Sequence, residues 1–156
     1  MAAGFDPRGG RRVQSGRSLS GHFGVFVEAA VAVRGIGVDI CRVERIADSL
    51  RRFGERMEKR LFTPGEQAYC KHFSDPAPHL AARFAAKEAA SKALGTGMAG
   101  GVGWTQIEVV QPGGRVPTLV FTGVALERFN AIGATGSHLS LTHDGGFAVA
   151  CVVLEG

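Results

Sequence analysis

The sequence predicts an α+β domain, and three observations carry that prediction. Between residues 43 and 94 apolar side chains recur at helical spacing, whereas the last third alternates short apolar runs with glycine turns. The chain is also 45% hydrophobic and 21% charged, a globular balance that excludes disorder throughout. No run of about 18 apolar residues occurs, so no membrane span is expected. The best candidate, residues 25–33, is short and interrupted by Glu28.

Taken in order, residues 1–24 are rich in Gly, Ser and Arg and lack apolar periodicity. They read as a disordered basic extension; a transit peptide or a start assigned too far upstream would look the same. The expected division is an extension over 1–30 and a folded domain over 31–156. Residues 31–40 form a buried strand whose Gly35 and Gly37 sit where a side chain would block close approach. Val43, Ile46, Ala47, Leu50 and Phe53 mark a helix with its basic residues outward, ended by Gly54. Thr63, Pro64 and Glu66 supply the N-cap, first-turn proline and capping-box acid of a second helix. Pro76 and Pro78 break the chain before a long alanine-rich helix, His79 to Leu94, followed by a glycine loop over residues 95–103. Residues 106–110 and 118–121 read as strands and 123–131 as a helix. Residues 138–143 and 147–154 form a hairpin turned by Asp144, Gly145 and Gly146. The predicted order is β-α-α-α-β-β-α-β-β.

Charge is unevenly placed. Residues 42–60 carry seven basic groups against four acids, which points to an acidic partner met at one face, or to a solvated helix surface. Cys41, Cys70 and Cys151 are odd in number and lack metal or disulfide spacing, so no zinc site is indicated and a reducing cytoplasm fits.

Three places can carry chemistry. Asp39 ends an apolar strand, where it either caps the next helix or ligates something cationic. On the long helix, Glu88, Ser91 and Lys92 share a face, with Arg83 and Lys87 on an adjoining stripe. Glu88 with Lys92 is either a surface pair at i,i+4 or part of a phosphate site, in which Asp39 and Glu88 hold Mg²⁺ and lysines neutralise the remaining charge. Ser140, Thr142, His143 and Asp144 cluster at a strand end, as turn caps or as the rim of a phosphate pocket. Gly95, Gly97 and Gly100 match a dinucleotide fingerprint, but they follow a helix instead of a strand, so that reading fails.

Together these residues resemble a known family. Gly35-Ile36-Gly37-Val38-Asp39-Ile40 with Val43 to Ile46 is similar to the opening motif of holo-[acyl-carrier-protein] synthases, the small phosphopantetheinyl transferases. Residues 83–97 and 138–143 are similar to that family's second and closing motifs, and the likeness covers about residues 34–155. The resemblance implies an antiparallel sheet packed on a long helix and an enzyme moving 4′-phosphopantetheine from coenzyme A to a serine of apo-acyl carrier protein. It implies Asp39 and Glu88 as Mg²⁺ ligands, with Lys92 contacting phosphate and Glu88 taking the serine proton. Arg83, Lys87, Ser91, Lys92, Gly95, Gly97 and His143 would line the coenzyme A cleft. Arg45, with Arg52 and Arg56 on the same face, would meet the acidic carrier. A homotrimer with active sites between subunits is also implied. Rival readings are a broader carrier range, a silent coenzyme A binder, and a basic nucleic-acid module. Against the last stands the absence of any recognisable nucleic-acid motif.

Overall fold

A computed structural model describes residues 31–156 apart from Arg115; the expected extension over residues 1–30 lies outside the described residues. Val31–Gly156 cluster as one unit. Strand β1 (Val33–Arg42) leads into helix α1 (Val43–Phe53), α2 (Glu55–Leu61), α3 (Pro64–Cys70) and the long α4 (Ala77–Ala93). Then come β2 (Ile107–Val110), β3 (Thr118–Phe121), α5 (Gly123–Ala131), β4 (Gly136–Asp144) and β5 (Phe147–Glu155).

Two corrections to the expected order follow. The first strand runs two residues further than predicted, so α1 begins only after Arg42. A helix not foreseen, α2, occupies residues 55–61. Gly54 takes a positive φ of 50°, ends α1 by donating its N–H to the Leu50 carbonyl, and lets α2 start at once in a new direction. The capping box of α3 forms as read, with Thr63 Oγ1 accepting from Glu66 N and Glu66 Oε2 accepting from Thr63 N.

The sheet order is β1-β5-β4, all antiparallel, with β2-β3 as a separate ribbon. Helix α4 packs on the inner face of the larger sheet. Ala81, Ala85, Ala86, Ala89 and Ala90 have no exposed surface, and their small side chains let the helix axis approach the strands. Opposite them Gly35 and Gly37 complete the fit, since a Cβ on Gly37 would lie 1.9 Å from the Ala89 carbonyl oxygen and one on Gly35 2.0 Å from that of Ala93. This contact puts the next inward residue of β1, Asp39, against α4. The outward residues Ile36, Val38 and Ile40 are 62%, 54% and 62% exposed, a continuous apolar row. No helix among the described residues is long and apolar enough to cross a membrane.

Candidate active site

Asp39 pairs in register with Ala150 of β5, midway along that antiparallel ladder, and its side chain turns inward toward α4. Its Oδ1 accepts a hydrogen bond from Lys92 Nζ at 2.8 Å, and the same ammonium donates to the Val38 carbonyl at 3.0 Å. Asp39 therefore does not cap α1, whose N-cap position is Arg42 with no side-chain bond. Nor does Lys92 pair along its own helix with Glu88; it reaches across to the strand.

Glu88 stands one turn before Lys92, half-buried and without a hydrogen-bonded partner among the described residues. Burial pushes its carboxyl pKa up, the neighbouring Asp39 carboxylate pushes it further, and Lys92 and Arg45 oppose both. Asp39, Glu88, Lys92 and Arg45 thus share one electrostatic field. Two carboxylates from different elements, one of them unpaired, make a hard oxygen donor set beside a movable cation.

From Glu88 a groove of 520 Å³ opens between α1, α2 and α4. Its wall is a Phe84–Trp104 stack with centroids 4.8 Å apart, and the Arg45 guanidinium lies 5.5 Å over Phe84. Arg56 and Arg60 line the same groove, whereas Arg52 lies with Arg45 in an adjoining shallow one. Arg60 escaped the sequence reading because α2 was not recognised; once that helix is known, Arg56 and Arg60 stand four apart on one face.

The adjoining stripe of α4 behaves differently, and two of its residues need correction. Lys87 has no exposed surface, and its ammonium is filled by Glu66 Oε2 at 2.7 Å and by the carbonyls of Trp104 at 2.8 Å and Ile107 at 2.7 Å. Ser91 is equally buried, its hydroxyl donating to the Glu88 carbonyl at 2.8 Å. Neither side chain reaches a cleft. The Ser91 carbonyl does accept the N–H groups of Thr96 and Gly97, so Ser91 shapes the turn in which Gly95 and Gly97 take positive φ of 74° and 56°.

Arg83 and His143 form a second group. Arg83 is 3% exposed and beside a 260 Å³ pocket lined by Tyr69, Glu108 and Gln111; its Nε has no partner. Exposed His143, near the end of β4, meets His79 of α4 at 5.6 Å between ring centroids. Arg83 and Glu88 are five residues apart, about 8 Å along the helix and on different sides of it. One chain therefore brings Asp39, Glu88, Lys92 and Arg45 together and holds Arg83 and His143 apart from them. No cluster of three or more potential metal-ligating side chains occurs among the described residues, so a metal here would have two protein ligands.

Comparison with known proteins bears on this geometry. Residues 35–152 match the model of the 4′-phosphopantetheinyl transferase superfamily. The chain is 50% identical over 124 residues to a holo-[acyl-carrier-protein] synthase of Koribacter versatilis, covering 79% of this chain and 98% of that one. Its fold is similar to the crystal structure of the holo-[acyl-carrier-protein] synthase of Neisseria meningitidis, with a TM-score of 0.72 and 33% identity over 80% of this chain and 100% of the other. It is also similar to the Helicobacter pylori synthase in complex with coenzyme A, with a TM-score of 0.68 and 31% identity over 76% and 98% of the two chains.

Proposed function

Because this chain belongs to the 4′-phosphopantetheinyl transferase superfamily, we propose that Asp39, Glu88 and Lys92 are the catalytic centre of a holo-[acyl-carrier-protein] synthase. The enzyme transfers 4′-phosphopantetheine from coenzyme A to a serine of apo-acyl carrier protein in fatty acid biosynthesis, and adenosine 3′,5′-bisphosphate leaves. The single observation that carries the assignment is geometric. Two carboxylates, from a strand and a helix, face one half-exposed lysine at the mouth of a basic groove.

Asp39 and Glu88 fit Mg²⁺, an ion that keeps most of its waters and takes one or two protein carboxylates together with substrate phosphates. When bound it neutralises charge on the coenzyme A pyrophosphate. Lys92, tethered to Asp39 but 48% exposed, is free to turn to a phosphate oxygen and stabilise the departing bisphosphate. Glu88, whose proton affinity is raised above that of a free carboxyl, accepts the serine proton. Arg45, Arg52 and Arg56 meet the acidic carrier, with Arg60 added to that set. Arg45 and Arg56 line a groove ending at Glu88, so a carrier docked there brings its serine to the carboxylates. Arg83, His143 and the Gly95–Gly97 turn serve the coenzyme A side, while Lys87 and Ser91 support the scaffold.

A homotrimer with clefts between subunits accounts for two further features. It would cover the apolar row of Ile36, Val38 and Ile40. It would also let the Arg83 group of one copy complete the Glu88 group of another. The free thiols of Cys41, Cys70 and Cys151 suit a reducing cytoplasm.

The test is intact-mass spectrometry of apo-acyl carrier protein incubated with the full chain, coenzyme A and Mg²⁺. A gain of one phosphopantetheine that EDTA prevents is the expected result. A gain that EDTA leaves untouched would remove the metal role, and no gain with several carriers would remove the reading.

A further inference from the structure

Lys92 sits where strand and helix come closest. In sequence it stands between Ala89 and Ala93, whose carbonyl oxygens would lie 1.9 and 2.0 Å from a Cβ on Gly37 and on Gly35. That contact fixes how far Lys92 must reach to β1. Its ammonium finds two acceptors there, Asp39 Oδ1 at 2.8 Å and the Val38 carbonyl at 3.0 Å. A pair along one helix, such as Lys59 with Glu55, has no such backbone acceptor among the described residues. The seat of Lys92 is thus built into the strand.

The seat is also incomplete. Lys87 has an acceptor for each of its three N–H groups, whereas Lys92 has acceptors for two among the described residues and keeps 48% of its side chain exposed. Charge then decides what else the site can hold. With Lys92 seated, two ionised carboxylates and one ammonium leave a single net negative charge. A divalent cation is held best by carboxylates free of other partners, and an ammonium already on one of them repels it. A pyrophosphate offers Lys92 another anion. Once the ammonium turns to it, both carboxylates face the metal with their full charge. Arg45 shares the same field but bonds to neither carboxylate; its guanidinium lies over Phe84.

We propose that Lys92 is an exchangeable counter-ion, holding Asp39 against divalent metal until the pyrophosphate of coenzyme A draws it away, so that metal and coenzyme A bind as a linked pair. This rests on the transferase reading above and deepens it, giving the lysine a role in loading as well as in the reaction. By linkage the coupling is reciprocal, and each ligand tightens the other by the same factor.

Mn²⁺ suits the same oxygen ligands as Mg²⁺, and electron paramagnetic resonance reads its free concentration. Titrations use the full chain without carrier, so that no transfer occurs, with and without saturating coenzyme A. Mn²⁺ bound by coenzyme A in buffer is subtracted. Without coenzyme A, Lys92→Met is expected to bind Mn²⁺ about tenfold more tightly than wild type, since one charge-assisted hydrogen bond no longer competes. Coenzyme A should tighten wild-type binding about tenfold or more, and that of Lys92→Met by less. Arg45→Met removes a neighbouring cation that bonds to neither carboxylate, so it should stay within about twofold of wild type. Lys92→Gln serves if Lys92→Met fails to fold.

Equal Mn²⁺ affinity in wild type and Lys92→Met overturns the proposal. So does an equal rise in Lys92→Met and Arg45→Met, which is net charge alone, or an unchanged coupling to coenzyme A in Lys92→Met. Each of those results leaves the metal site standing. If neither protein holds Mn²⁺ even with coenzyme A, the two-carboxylate metal site itself falls and the exchange falls with it.

Discussion

Helix α4 carries two lysine–carboxylate pairs of nearly equal length in opposite surroundings. Lys87 and Glu66 meet at 2.7 Å with neither side chain exposed, and Lys92 and Asp39 meet at 2.8 Å with 48% and 17% of their side chains exposed. In the first pair every valency is used: the ammonium has three acceptors, and Glu66 also accepts the N–H groups of Thr63 and Val109. The second pair leaves Asp39 Oδ2 and the neighbouring Glu88 uncommitted. The same two functional groups make a clamp where they are saturated and dry, and the proposed reaction site where they are unsaturated and wet. Bond length does not separate the two roles; spare coordination does.

Removing the uncommitted groups gives the largest expected effect. Asp39→Ala or Glu88→Ala should lower Mg²⁺-dependent transfer about a thousandfold while leaving the melting temperature within a few degrees, because several kcal/mol of charge stabilisation are lost at a site that does not hold the fold together. Normal turnover in either variant, measured by carrier mass, would erase the distinction between the pairs. Lys87→Met should do the reverse. It strands a buried carboxylate and costs about 3–5 kcal/mol of stability by denaturant titration. Folded protein that loses turnover without losing stability would place Lys87 in the reaction instead.

How much of this could be read from the chain follows the same division. The grouping of Asp39, Glu88 and Lys92 was legible because polar residues among apolar, alanine and glycine neighbours stand out, and the α+β order was legible because turn glycines punctuate it. The role of Lys87 was not. On a helical wheel it adjoins Glu88, and only the tertiary packing of α3 and the segment after Gly103 against α4 turns it into a buried clamp. Helix α2 was missed for a local reason, since a glycine that ends one helix and opens the next carries the same letter as one that starts a loop.

A smaller effect sharpens the comparison from the strand side. Gly37→Ala puts a methyl group 1.9 Å from the Ala89 carbonyl, so β1 must shift away from α4 and take Asp39 with it. A stability loss of about 1–3 kcal/mol is expected, with a fall in turnover larger than that loss explains. Retention of full turnover would mean that the Asp39–α4 distance is not what matters.

The smallest effect concerns Glu88 itself. Its folded-state pKa is raised, first by burial and then by Asp39, so its contribution to stability is full below the ordinary carboxylate range and is lost as pH rises through the raised value. Glu88→Gln should therefore be more stable than wild type at pH 7 without ligand, by less than about 1 kcal/mol because water screens the half-buried group. The difference should vanish in acid, and thermal melts across pH measure it. A gain in stability on replacing Glu88 would fit the catalytic role proposed for it.

The glycine-to-alanine contact between β1 and α4 also sets where the molecule opens last. The centre of β1 pairs with β5 along one edge and packs on α4 by its inner face, where the Gly35 and Gly37 backbones leave no room for water between strand and helix. Amide deuterium uptake should accordingly be slowest in the central strand β5, at the β1 amides paired with it and along the alanine face of α4, and faster in α1 and α2, which carry the proposed carrier-binding arginines. On that expectation the carboxylates are anchored in the slowly exchanging layer of the protein, and the proposed docking surface in a quicker one. Under the proposed function, local breathing of α1 and α2 would then admit and release a carrier while the frame that holds the carboxylates stays closed.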